Sequence, residues 1–137
     1  TSRELAHCSH FMKAGTDYWD KYMAHLLKAF ISSSGRNYGS QSDENAGYCA
    51  VAEMWAYFME YVVLRERYGT GVSPEGLDYW FFPQVLLYLD ERGMGADRIY
   101  DALRPDVTDV NRLKESLMDE CPEFTSLIEQ AFDRYGY

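Results

Sequence analysis

The sequence lacks the cysteine pattern of a disulfide-stapled domain. Its three cysteines, Cys8, Cys49 and Cys121, are scattered and none stands in a Cys-x-x-Cys pair, which leaves the redox compartment open. Basic residues are in deficit: 13 Lys and Arg face 22 Asp and Glu, a formal net charge of −9. Nucleic acid and anionic membranes are bound by basic surfaces, so neither is expected as a partner. A charge-free apolar run long enough to span a membrane is also missing; the longest candidate, Ala46 to Leu64, carries Glu53 and Glu60. There is no period-two alternation, no Asn-Gly hairpin turn, no internal repeat and no low-complexity tract, so no strand is expected. An initiator Met and a signal peptide are absent too. The chain opens Thr1-Ser2-Arg3, which reads as a processed product or an excised fragment.

What is present is a 137-residue chain, sized for one domain or a piece of one. Hydrophobic residues make up 47%, enough to exclude intrinsic disorder. Aromatic residues make up 16%, a supply of large apolar surfaces with polar tips that suits a helical core or a substrate cleft.

Apolar spacing and stop signals divide the chain into helices. Ser2 to Ala14 reads as an amphipathic helix, with Ser2 as candidate N-cap and Gly15 as stop. A second helix, capped by Thr16, carries Tyr18, Trp19, Tyr22, Met23, Leu26, Leu27 and Phe30 at helical spacing. Residues 32–42, rich in Ser, Gly and Asn, form the one long loop. Ser42 or Asp43 is positioned to cap a long helix from about Glu44 to Tyr68, closed by Gly69. Ser73-Pro74-Glu75 resembles another helix start, and Pro83 is expected to kink or split the apolar run Trp80 to Leu89. Further helices are expected at Ala96–Leu103, Thr108–Glu120 and Pro122–Arg134. The fold class is all-α, a multi-helix bundle.

Two segments carry chemistry. On the first helix Arg3, His7, His10 and Ala14 share one stripe, and Glu4 lies near His7. Two imidazoles with a flanking carboxylate suit a zinc ion, although a helical His pair also occurs without metal. The long helix is apolar on nearly every face, which places it at the centre of a fold. Its Glu53 is surrounded by Ala46, Cys49, Ala50, Ala56 and Tyr57, and the first four are small enough to let another element approach. A carboxylate there needs a partner, either a Tyr or His hydrogen bond or a metal. The other candidates read as structure: His25 as a partly buried core residue, the three cysteines as buried thiols, and Asp109, Glu115, Asp119, Glu120 and Glu123 as a solvated surface. Tyr79-Trp80-Phe81-Phe82 reads as core or as one cleft wall.

Taken together, the two segments resemble a known family. Glu4-Leu5-Ala6-His7-Cys8-Ser9-His10 is similar to the second half of a His-Glu-Leu-Ala-His-x-Ser-His element, a form of the HExxH signature of zinc metallopeptidases. Ala52-Glu53-Met54-Trp55-Ala56-Tyr57 resembles the Glu-x-Trp-Ala-x-Tyr helix that gives gluzincins their third ligand. The pair Tyr18-Trp19 resembles zinc-binding metallopeptidase lipoproteins of Bacteroidetes-type bacteria. The resemblance covers roughly the first half of the chain. It implies zinc as cofactor, His7 and Glu53 as ligands, His10 as an accessory ligand and Glu4 as general base. It further implies a peptide or protein substrate contacted by Tyr38, Tyr48 or Tyr57, and an extracytoplasmic location. One position departs: the first ligand site holds Arg3, whose guanidinium has no lone pair to give a metal. Such enzymes also place a β-sheet before the HExxH helix. The leading expectation is therefore the helical C-terminal region of a gluzincin-like metallopeptidase, catalytically impaired by Arg3. The alternative is a non-catalytic helical module that binds a peptide or glycan.

Overall fold

A computed structural model describes residues 1–32 and 38–137. Among the described residues there are seven α-helices and one 3₁₀ turn, and no strand. The first two helices form a hairpin. Helix α1 (Ser2–Ala14) starts at Thr1, whose side chain accepts from the Glu4 backbone while Glu4 returns the bond, so the cap lies one residue before the expected Ser2. Gly15, at φ 93°, turns the chain directly into α2 (Thr16–Ser32). The five residues 33–37 of the expected long loop lie outside the described part.

Helix α3 (Ala46–Tyr68) is the axis of the molecule. Its residues Cys49 to Phe58 are all buried, as expected of a helix apolar on every face. Ser42 and Asp43 do not cap it. Asp43 closes the preceding turn by accepting from the Ser40 N–H at 2.9 Å, and Asn45, at φ 62°, makes the sharp entry into the helix. The small face around Ala46, Cys49 and Ala50 admits the α1–α2 hairpin. Helix α1 turns its own small strip of Ala6, His10 and Ala14 inward, and the Trp55 indole N–H donates to the Ala6 carbonyl at 3.1 Å.

The expected helix at Ser73–Glu75 does not form. The chain from 69 to 82 runs as turns, because Gly76 adopts φ 80° and its backbone presses on the Tyr57 ring. Pro83 then initiates a helix rather than splitting one, and α4 (Gln84–Glu91) follows it. Helices α5 (Ala96–Asp101), α6 (Val110–Glu120) and α7 (Thr125–Asp133) complete the bundle, with Asp109 capping α6 and Pro122–Phe124 forming the 3₁₀ turn. They close one large core in which Met54 and Phe58 of α3 join Leu86 of α4, Leu113 of α6 and Phe132 of α7. Cys49 and Cys121 are buried, but Cys8 is exposed, since it sits on the outer face of α1 opposite the packing strip. No helix among the described residues is long and apolar enough to cross a membrane.

Candidate functional site

Glu53 lies at the junction of α1, α2 and α3. It is only 2% exposed, and among the described residues two groups reach its Oε1. The Tyr22 hydroxyl of α2 donates a short hydrogen bond to it, and His7 Nε2 of α1 lies 3.0 Å away. His7 and Glu53, which the sequence motif pairs, are thus brought together from helices far apart in the chain. Burial, followed by the Glu53 charge, pushes the Tyr22 hydroxyl well above the usual phenol range, so it stays protonated and remains a donor.

His10 sits beside this pair but faces the other way. It is sealed from solvent against the Tyr18 ring, with centroids 4.9 Å apart, and the Trp19 ring, 6.2 Å away. Neither of its nitrogens has a hydrogen-bond partner among the described residues, and burial pushes its basicity down to about 3. His7 Nδ1 and Trp19 Nε1 are likewise buried without a hydrogen-bond partner among the described residues. Glu4 stands on the solvent side of α1, where its carboxylate binds the Thr1 amine at 3.0 Å and takes no part in the Glu53 cluster.

Arg3 stands one turn before His7, where the HExxH motif that the sequence resembles has its first histidine. Its Nε pairs with Glu60 at 3.0 Å and its Nη1 donates to the Tyr57 hydroxyl at 2.7 Å. The Tyr57 and Tyr38 hydroxyls are 2.9 Å apart, so a line of polar groups runs Glu60–Arg3–Tyr57–Tyr38 beside the Glu53 cluster. Tyr38 is held in an unfavourable left-handed conformation, φ 74°. Its carbonyl is fixed there by the Trp80 indole N–H at 3.0 Å and by His25 Nε2 at 2.9 Å. The aromatic run contributes core at Phe81, which is fully buried, and a support for the site at Tyr79 and Trp80. Tyr48 is placed elsewhere: it packs on Tyr18 and lines a separate hollow at the α1–α2 turn.

A groove of about 450 Å³ opens over Glu53. Its polar floor is Glu53, Tyr22 and Tyr38, and its wall is the outer strip of α2 formed by Met23, Leu27 and Phe30. All three wall residues are exposed although apolar. Sequence periodicity alone misassigns them: α2 buries Tyr18, Tyr22, His25 and Ala29, so the second apolar strip faces solvent. Tyr22 also escaped the motif reading, although its place in that strip beside His25 marks it as a buried polar tip. His25 is buried, as expected, and its role is to position Tyr38.

These donors do not fit a zinc centre. Tetrahedral zinc takes three or four nitrogen, sulfur or carboxylate ligands. Among the described residues no three His, Cys, Asp or Glu side chains are grouped to hold an ion. His7 and Glu53 supply two, His10 is turned into its aromatic enclosure, and the remaining position presents a guanidinium. Comparison with protein-family models, curated proteins and solved structures returned no match, so the residues alone carry the functional reading.

Proposed function

We propose that this chain is the helical half of a gluzincin-like metallopeptidase fold whose metal centre has become a hydrogen-bonded polar cluster. In this reading it binds a peptide in the groove over Glu53 without hydrolysing it. The observation that carries the reading is Arg3: it stands where a ligand histidine would, and Glu60 and Tyr57 bind its guanidinium in place. A positive charge fixed next to the site opposes a cation, and its nitrogens have no lone pair to offer. Zinc-dependent peptidase activity is the second reading, favoured by the 3.0 Å approach of His7 Nε2 to Glu53 Oε1.

Zinc titration of the chain, followed calorimetrically, separates the two. The binding-module reading expects no stoichiometric zinc uptake by the parent and a gain in zinc affinity on Arg3→His. One equivalent of tightly held zinc in the parent, lost in both His7→Ala and Glu53→Gln, would overturn it in favour of the metallopeptidase.

A further inference from the structure

We propose that the groove over Glu53 recognises the free amino terminus of a peptide whose first residue is large and apolar. The inference rests on the peptide-binding reading above and names the group recognised.

The floor supplies the acceptor. Both contacts of Glu53 fall on Oε1, and Oε2 has no hydrogen-bond partner among the described residues. A carboxylate only 2% exposed that lines a groove is complemented best by an ammonium, which can bind it through charged hydrogen bonds. The nearby guanidinium of Arg3 is already engaged by Glu60 and Tyr57 and does not serve Glu53. Among the described residues the Tyr38 hydroxyl engages only that of Tyr57, and it can make a second hydrogen bond at the same floor. Burial, followed by the Glu53 charge, holds this hydroxyl protonated.

The wall supplies the apolar complement. Met23, Leu27 and Phe30 are 54%, 63% and 64% exposed and stand on one side of the groove. Uncovered apolar side chains of this size, beside a buried polar pair, are the usual make-up of a small-ligand site. The net charge of −9 favours approach of a cationic end over an anionic one. An N-terminal leucine presents all of these features at once: an ammonium for Glu53 and Tyr38, and a branched side chain for the α2 wall.

Isothermal titration with Leu-Leu-Leu amide, its N-acetylated form and n-hexylamine tests this. The free peptide is expected to bind, and acetylation is expected to weaken it by roughly tenfold or more, the loss of a charged hydrogen bond. Glu53→Gln should cause a similar loss for the free peptide and none for the acetylated one. Tyr38→Phe, which leaves the carboxylate untouched, should give a smaller loss, so the outcome does not depend on one variant folding. Equal binding of free and acetylated peptides overturns the amino-terminal assignment while leaving peptide binding intact. Equal binding of n-hexylamine and peptide shows that the groove reads only an alkylammonium and overturns the peptide assignment. No binding of any probe removes both the assignment and the peptide-binding reading.

Discussion

His10 is enclosed by Tyr18 and Trp19, and neither ring nitrogen has a hydrogen-bond partner among the described residues. Protonating it places a charge in an apolar enclosure next to His7, and burial accordingly lowers its basicity to about 3. In the unfolded chain the same ring titrates near 6.5. Between about pH 6.5 and 3 the unfolded state therefore takes up a proton that the folded state refuses. Stability is unaffected by His10 above that window and falls as pH drops through it, by about 1.4 kcal/mol per pH unit. The expected result is a His10 ring-proton NMR shift that stays flat from neutral pH to about pH 4, together with a falling urea midpoint over the same range. A His10 ring titrating near 6.5 in the folded protein contradicts the enclosure. The sequence places His7 and His10 three residues apart on one helix, and α1 carries both. It cannot say that a three-residue offset turns one ring to Glu53 and the other to Tyr18, because that depends on where α2 crosses α1. That Glu53 needs a polar partner was legible because it stands in a helix apolar on nearly all sides, whereas its pairing with His7 came only from the resemblance of the two motifs.

The elements show the same division between local signals and contacts. Gly47, in the first turn of α3, is a poor helix former, and replacement by Ala would favour an isolated helix by about 1 kcal/mol. Here a Cβ would fall 2.7 Å from the Cβ of Asp109 and closer still to the Thr108 carbonyl. Asp109 caps α6 by accepting from the Arg112 N–H at 2.8 Å, so neither group is free to move aside. Gly47→Ala should therefore destabilise the protein by about 1–3 kcal/mol in chemical denaturation, the usual range for overpacking. A more stable variant would mean that the α6 terminus does not press on α3. Helices with strong local stops, such as α1 before Gly15, were readable to within a residue. The segment around Ser73-Pro74-Glu75 was not, because its helix-start signature is overruled by Gly76 turning against the Tyr57 ring, a contact between residues distant in sequence.

At the scale of the whole molecule, the all-α class followed from periodicity, but the uneven distribution of the core did not. The large cluster joins the far face of α3 to the later helices, while under α2 lies a small one built on Tyr22, Cys49 and Ala52. Helix α2 buries a single strip, and its opposite strip of Met23, Leu27, Phe30 and Ile31 is exposed already in the folded state. Detaching α2 therefore uncovers little apolar surface compared with disrupting α3, whose residues Cys49 to Phe58 are all buried. Native-state hydrogen exchange should show the α2 amides opening in a sub-global step, at least about tenfold faster than those of α3, or about 1.4 kcal/mol below it. Because α2 forms the groove wall and supplies Tyr22 to Glu53, a ligand seated there stabilises the closed form and should slow α2 selectively. Exchange of α2 and α3 at one common rate would mean that the hairpin and the bundle open as a single unit, with no separately yielding wall for a ligand to fix.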